Sequence, residues 1–274
     1  MKYARGLSDR KSKYDSQGNF ERIKARLVAG GHLQDKTDYE DLSSPTVALP
    51  SIMTIATLAA AERRHVWTAD IGGAFLNAEM EAEVYMSLDP MITAIYCAVD
   101  PDAQSYINRS TGKLTVRLTK ALYGCVESAM LFNKHITATL REIGFEPNDL
   151  DPCTLNKGTG IDQITIMIHV DDLMITSADA IGMQKVEDHL RNKYKEISVK
   201  KDADTLSYLG MTFNFDRLKG QVTVTMEKHV NDCVDILEQL QLSYLCKHAE
   251  RKYYQLQSHC HLKLCFDLLK INEQ

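Results

Sequence analysis

Apolar residues recur along the chain with two different spacings, and these predict helices and strands in mixed order. Helical spacing predicts helices at 51–64, 127–143, 179–196 and 227–241, the first with Ser51 as its N-cap. Alternating or continuous apolar runs predict strands at 21–30, 66–71, 84–88, 114–118, 164–168, 173–175, 206–215 and 221–226. Residues 1–20 form a polar segment with a turn predicted at 15–19, and residues 89–112 are predicted to be a loop-rich connection. Because the helices and strands do not alternate as regular βαβ units, the sequence predicts an α+β fold.

The sharpest chemical feature is a pair of adjacent aspartates inside an apolar run. In ITIMIHVDDLMIT, residues 164–176, Asp171 and Asp172 separate two stretches rich in β-branched residues. A hairpin would place both carboxylates at a tight turn near a buried sheet, where they repel each other and lose hydration. Mg²⁺, a hard ion that prefers oxygen ligands, would neutralise such a pair. The alternative is an ordinary turn, in which aspartate is common.

A third aspartate ends another apolar strand. In WTADIGGAFL, residues 67–76, Asp70 is followed closely by Gly72 and Gly73. Glycines allow the backbone to approach a ligand closely, as a triphosphate bound by main-chain N–H groups would require. Strand-end acids that meet could hold two divalent ions about 3.5–4 Å apart, the arrangement that promotes in-line phosphoryl transfer. A capping or turn role for Asp70 is the alternative.

Composition excludes several classes of protein. A chain with 44% hydrophobic and 25% charged residues is neither wholly disordered nor collagen-like. It has no apolar run near the roughly 18 residues of a membrane span, and its N-terminus lacks the apolar core of a signal peptide. Seven cysteines without a CxxC pair favour reduced thiols. We therefore expect a cytosolic or nuclear protein that is neither secreted nor bound to a membrane.

Charge is unevenly distributed along the chain. The formal net charge is −5, yet residues 1–36 hold nine Lys and Arg against four acids. Residues 37–100 hold ten acids against two arginines. A basic segment beside an acidic one suits a protein that binds an anion and also holds cations, whereas a solvated basic tail is the alternative interpretation.

Seven short motifs follow one another between about residues 20 and 240. They are KARLVAGG at 24–31, SPTV at 44–47, DIGGAFLN at 70–77, EVYM at 83–86, KALYG at 120–124, HVDD at 169–172 and YLG at 208–210. Any one of these would be a weak signal, but the ordered series is specific. The series resembles the reverse transcriptase domain of Ty1/copia-type LTR retrotransposons.

The resemblance implies a right-hand polymerase fold, with fingers and palm built on an antiparallel sheet plus helices, and a partial thumb. It implies that the catalytic aspartates and metal ligands are Asp70, Asp171 and Asp172, with the backbone carbonyl of Ile71 as a further ligand. The nucleotide-binding residues that it implies are Lys24, Arg26, Gly73, Ala74, Phe75, Tyr123 and Gly124. Phe75 takes the place of a steric gate against a ribose 2′-OH. The residues implied to face primer or template are His169, Leu209 and Gly210.

The same resemblance implies an organisation and a reaction. The expected regions are a polar N-terminal segment 1–19, fingers 20–66 and 84–120, palm 67–83 and 121–220, the start of a thumb 221–242, and an unassigned tail 243–274. The expected reaction extends a primer 3′-OH with dNTPs on an RNA or DNA template, with two Mg²⁺ ions, or Mn²⁺ in their place. The remainder of a Pol polyprotein is an expected partner, in a cytoplasmic virus-like particle or in the nucleus.

Some positions depart from the family pattern. His169 replaces a common tyrosine, and Glu127 begins ESAM where a Gln-Ser-Pro-Arg-like run is common. The tail shows no RNase H region, and its Cys and His residues match no standard zinc-finger spacing: Cys246, His248, His259, Cys260, His261 and Cys265. Truncation or a shifted reading frame accounts for this tail better than zinc does. A catalytically silent remnant that folds and binds nucleic acid is therefore an alternative. A nucleotidyl cyclase would leave the fingers motif and Phe75 unexplained.

Overall fold

The chain forms three β-sheets and five α-helices within the residues that the computed structural model describes, which are 2–14, 20–31, 34 and 44–239. The strands are β1 Lys2–Tyr14, β2 Phe20–Ala29, β3 His65–Ile71, β4 Val84–Leu88, β5 Leu114–Arg117, β6 Glu146–Pro147, β7 Thr154–Lys157, β8 Ile164–His169, β9 Asp172–Ser177, β10 Ile197–Lys201, β11 Thr205–Tyr208, β12 Met211–Asp216 and β13 Gln221–Thr225. The helices are α1 Leu49–Ala61, α2 Pro90–Val99, α3 Ser128–Arg141, α4 Ala180–Lys193 and α5 Glu227–Gln239, with short 3₁₀-helices at Ala74–Asn77, Pro101–Tyr106 and Gly160–Asp162. This mixture confirms the predicted α+β class.

The largest sheet has six strands in the order β10-β3-β9-β8-β7-β6, and all neighbouring strands are antiparallel. Its central strands read as continuous apolar runs because both faces of the sheet are covered. Helices α3 and α4 cover one face, where they pack on Trp67, Ala69 and Ile71 of β3. Helix α1 and the three-stranded sheet β11-β12-β13 cover the other, where Val66 of β3 is buried. Alternate residues of β3 therefore enter two different hydrophobic cores.

The remaining sheet has the strand order β2-β1-β4-β5. Strand β1 runs parallel to β4, whereas β2 and β5 are antiparallel to their neighbours. Helix α2 packs here through buried Cys97, against Met86 and Leu88 of β4 and Leu114 of β5. Residues 2–14, which lie in the polar N-terminal segment, are thus the second strand of this sheet. The sequence did not predict this strand because it is polar and depends on the partners on either side of it.

Three further predictions about elements were wrong. Helix α1 begins after Ala48 rather than at Ser51, and the Asp151 side chain accepts a hydrogen bond from Ala48 N at 3.0 Å. Residues 89–112 contain α2, whose N-cap Asp89 accepts a hydrogen bond from Ile92 N at 2.9 Å. The single strand predicted at 206–215 is divided into β11 and β12 by a turn. The structure also adds β10, which was not predicted.

No helix in the described ranges is long and apolar enough to cross a membrane. The Cys- and His-containing tail, 243–274, lies outside the described residues, as do residues 240–242 of the expected thumb segment. Helix α5, which was predicted at 227–241, is described from Glu227 to Gln239.

Candidate active site

Three polar side chains form a row at one end of the six-stranded sheet. Asp70 on β3 lies opposite Asp172 on β9, and Asp172 in turn lies opposite His169 on β8. Directly opposite residues of an antiparallel pair point to the same face, with Cβ atoms about 4.5–5.5 Å apart. The exposed Asp70 and its two neighbours therefore share the face that α1 and the three-stranded sheet cover further along the strands.

Asp171 reaches the same place through a turn. Val170 and Asp171 form the two-residue connection between β8 and β9, and Ile71 N donates a hydrogen bond to Asp171 O at 3.0 Å. Val170 has a φ of 57°, in the left-handed region that β-branched residues seldom adopt. Such a backbone conformation costs about 1–3 kcal/mol and is kept only where the surrounding contacts hold it in place. The two strands and the bond to β3 thus hold Asp171 beside Asp70 and Asp172.

The electrostatics of this row indicate an excess of negative charge. Partial burial, followed by repulsion from Asp171 and Asp70, raises the pKa of Asp172 above its ordinary value, and nearby His169 opposes this shift. The Nδ1 atom of His169 is buried and has no hydrogen-bond partner among the residues that the structure describes. Carboxylates that repel one another and lose hydration favour a nearby cation.

The donor atoms fit a hard divalent ion in their chemistry, because the side-chain donors are carboxylates, and Asp70 and Asp171 repel Asp172. Within the described part of the chain, however, no three acidic, histidine or cysteine side chains are arranged to hold one metal ion together. The structure therefore brings Asp70, Asp171 and Asp172 next to one another without displaying a coordination geometry.

A fourth carboxylate, which the sequence did not predict, borders this site. Gly72 N donates a hydrogen bond to Glu196 O at 2.9 Å, at the point where β10 begins to pair with β3. A Cβ atom added to Gly72 would lie 2.7 Å from both Cβ and Oε2 of Glu196. The absence of a side chain on Gly72 thus allows Glu196 to lie against the end of β3. The alternation of Ile197 and Val199 was the available signal for β10.

A second group of predicted residues lies just after β3. Gly73 has a φ of 60° and precedes the 3₁₀-helix Ala74–Asn77, and the Asn77 side-chain amide donates hydrogen bonds to Gly73 O at 3.3 Å and Ala74 O at 3.2 Å. The ring of Phe75 lies 4.6 Å from that of Tyr123 and 6.2 Å from that of Phe132, between centroids. Phe132 is fully buried. The structure therefore places Phe75 between two aromatic neighbours.

The KARLVAGG and KALYG motifs meet backbone to backbone. Ala29 N donates a hydrogen bond to Tyr123 O at 2.7 Å. A Cβ atom added to Gly31 would overlap the carbonyl oxygen of Gly124, and one added to Gly124 would overlap that of Ala29. Gly124 also has a φ of 89°, which favours glycine. Lys24 and Arg26 of the first motif lie on β2, but their side chains are outside the described structure.

The YLG motif forms the turn between β11 and β12. Leu209 and Gly210 have φ values of 52° and 76°, and two consecutive positive values are typical of a tight type I′ hairpin. The hydroxyl of Tyr208 donates a hydrogen bond to Met167 O on β8 at 3.5 Å. Burial raises the pKa of Tyr208, and the negative charge of Asp172 adds to the shift. The turn therefore adjoins the part of β8 that leads to His169.

Comparison with known proteins gives the family. A family model described as reverse transcriptase (RNA-dependent DNA polymerase) matches residues 9–246, which is most of the chain. The chain therefore belongs to the reverse transcriptase family.

Its relatives are retrotransposon polyproteins, which confirms the resemblance to the Ty1/copia type. The chain is 30% identical over 202 residues to the retrovirus-related Pol polyprotein from transposon RE2 of Arabidopsis thaliana, a match covering 73% of this chain and 13% of that protein. It is 26% identical over 202 residues to the Ty1-BL Gag-Pol polyprotein of Saccharomyces cerevisiae, covering 72% of this chain and 10% of that protein. The chain thus spans a small fraction of the length of these relatives.

Among solved structures, the chain is similar to an apo telomerase from Candida tropicalis that is truncated from its C-terminal domain. The identity is 10% and the TM-score 0.41, over 81% of this chain and 55% of that one.

Proposed function

We propose that the chain is an RNA-directed DNA polymerase domain that extends a primer 3′-OH with dNTPs. The observation that carries the proposal is the cross-strand pair of Asp70 and Asp172 beside Asp171, in a chain whose family model covers residues 9–246. Three carboxylates from segments about one hundred residues apart meet at one end of the six-stranded sheet, and a phosphoryl-transfer site needs concentrated negative charge.

In the proposed reaction, the primer 3′-OH attacks the α-phosphate of a dNTP and pyrophosphate leaves. Asp70, Asp171, Asp172 and the carbonyl of Ile71 would hold two Mg²⁺ ions, or Mn²⁺ in their place. Bound there, the ions would supply charge neutralisation for the attacking and leaving oxygens. The chain itself would contribute orientation, because Asp70 and Asp172 stand on paired strands and Asp171 lies in the turn between β8 and β9.

The nucleotide would lie between the three aspartates and the residues that follow β3. We assign main-chain contacts with the triphosphate to Gly73 and Ala74, and the steric gate against a 2′-OH to Phe75. Tyr123 and Gly124 would line the same pocket, a role supported by the ring contact between Tyr123 and Phe75. Further phosphate contacts are assigned to Lys24 and Arg26, and primer or template contacts to His169, Leu209 and Gly210.

We propose fingers at 20–66 and 84–120, palm at 67–83 and 121–220, and the start of a thumb from residue 221. Because β1 lies between β2 and β4, residues 2–14 belong with the fingers sheet rather than with a separate segment. The proposed partners are an RNA or DNA template with its primer, and the remainder of a Pol polyprotein, in a cytoplasmic particle or in the nucleus.

Primer extension on an RNA template, with Mg²⁺ and dNTPs, tests the proposal. We expect Asp171→Asn to lower kcat/KM by about a thousandfold, because a charge that acts at the reacting phosphate is lost. Asp149→Asn, at an exposed position that is not among the assigned site residues, is the matched control and should retain full activity.

Two outcomes would contradict the proposal. Primer extension that is retained in Asp171→Asn would contradict the assignment of the metal ligands. A wild-type chain that is folded and binds template–primer, yet extends nothing over a Mg²⁺ and Mn²⁺ titration, would indicate a silent remnant.

A further inference from the structure

A single carboxylate joins neighbouring strands at the end of β3 that lies away from the catalytic aspartates. Asp202, just after β10, accepts hydrogen bonds from Val66 N at 3.1 Å and from Trp67 Nε1 at 3.0 Å. Its Oδ2 atom also lies 2.8 Å from Nδ1 of His65. Its own N–H donates to Val66 O at 3.1 Å, and its φ of 45° is in the left-handed region. Asp202 is thus fixed by both backbone and side chain.

An arginine pairs with the Asp202 carboxylate. Arg217, which follows β12 directly, places Nη2 3.6 Å from Oδ1 of Asp202. Its Nη1 donates a hydrogen bond to Arg64 O at 3.1 Å, and its Nε lies 3.8 Å from the exposed Asp204. Its Nη2 is buried and makes no hydrogen bond among the described residues, so Asp202 is its charge partner at that atom. We refer to Asp202 and Arg217 together as the clasp.

The clasp stands at the open end of the β11–β12 hairpin. Asp202 lies three residues before β11, Arg217 immediately follows β12, and Phe215 N donates to Asp204 O at 2.8 Å between them. The closed end, about 14 Å away for a four-residue strand, is the turn at 209–210. The hairpin is therefore held at its base by the clasp and near its tip by the bond from Tyr208 to β8.

We propose that the clasp positions the turn at 209–210 relative to Asp70 and Asp172, and thereby sets how tightly a primer–template duplex is bound. The inference rests on the proposed polymerase function. The strands of this hairpin pack as one unit around the buried Phe213. A displacement of the hairpin base should therefore also displace the turn at 209–210. Asp202 and Arg217 are positioning residues, since they act on the duplex through the turn.

A set of matched variants tests this role. Arg217→Gln removes the clasp charge, Arg217→Lys retains it, and Asp204→Asn removes the exposed partner of the same guanidinium. We expect Arg217→Gln to weaken duplex binding, measured by fluorescence anisotropy with a labelled primer–template, about tenfold, and to raise the KM for primer–template to the same extent. The KM for dNTP should change less than twofold. Arg217→Lys should recover part of the affinity, and Asp204→Asn should bind as the wild type does.

The only tryptophan of the chain provides a second readout. Because the indole N–H of Trp67 donates to Asp202, its fluorescence reports on the clasp. We expect Asp202→Asn to shift the emission maximum. We also expect duplex binding to change the emission of the wild type and of Asp204→Asn more than that of Arg217→Gln.

The inference is overturned if Arg217→Gln lowers only the melting temperature and binds the duplex as tightly as Asp204→Asn does. It is also overturned if Arg217→Gln raises the KM values for dNTP and primer–template equally. A wild type that extends no primer, combined with weakened duplex binding by Arg217→Gln, would contradict the proposed polymerase activity while supporting the role of the clasp. Normal extension with unchanged duplex affinity in Arg217→Gln would contradict the clasp alone.

Discussion

The end of the six-stranded sheet and the contact between the KARLVAGG and KALYG motifs both join segments that are distant in the chain. In the sheet, Asp70 and Asp172 meet because paired strands place their side chains on one face. At the motif contact, Gly31 and Gly124 meet because neither has a side chain, so that backbone lies directly on backbone. One junction thus brings charges together, and the other brings main chains together.

The sheet end and the glycine contact should tolerate different substitutions. Replacing a carboxylate at the sheet end by an amide of the same shape leaves the strand register intact and relieves repulsion. Adding even one methyl group at the glycine contact requires the backbone to move, because protein interiors are closely packed. We therefore expect loss of activity with retained stability at the first junction, and loss of stability at the second.

The largest effect on stability should come from Gly124→Ala. The positive φ and the overlap with Ala29 O together should lower the free energy of unfolding by about 2–4 kcal/mol. Gly160→Ala is the control, since Gly160 has a similar φ of 68° but no neighbouring atom within 4 Å, and should cost about 1 kcal/mol. Equal costs in urea-induced unfolding would show that backbone conformation, rather than close approach, requires glycine at 124.

An intermediate effect, on selectivity, is expected from Phe75→Val. A smaller side chain between Tyr123 and Phe132 would open space for a ribose 2′-OH. The preference for dNTP over the matching ribonucleotide, measured as a ratio of kcat/KM values, should then fall roughly 10- to 100-fold. The adjacent and exposed Leu76 provides the control Leu76→Val. A fall of similar size in that control would contradict the proposed role of Phe75 as a steric gate.

The smallest effect should be a gain in stability from Asp172→Asn. Burial and repulsion raise the pKa of Asp172, so the fold favours its protonated form and the ionised carboxylate costs stability. Without added metal ions at pH 7, the variant should melt slightly higher than the wild type, where a gain of about 1 kcal/mol would correspond to about 2–4 °C.

The gain in Asp172→Asn should shrink as the pH falls through the raised pKa and disappear below the ordinary value of 3.8, where the wild-type carboxyl is also neutral. Asp149→Asn should show no such trend. A melting temperature that falls in Asp172→Asn at pH 7 would contradict the repulsion described for the row of acids.

Local patterns in the sequence predicted the parts of the fold that depend on neighbouring residues. The apolar runs around Asp171 predicted β8 and β9 because each strand is buried on both faces. Strand β1 and the contact of Gly31 with Gly124 could not be predicted in this way, since each depends on a partner far along the chain. Glu196 was missed for the same reason, because its place beside Gly72 follows from the pairing of β10 with β3.

The left-handed conformation of Val170 has a consequence for the order in which the molecule assembles. A β-branched residue does not hold that conformation unaided, so the bend between β8 and β9 should close only after both strands have joined their neighbours in the sheet. An isolated peptide of residues 164–177 would then lack the bend. The carboxylates that we assign to catalysis would be among the last groups to reach their final places during folding.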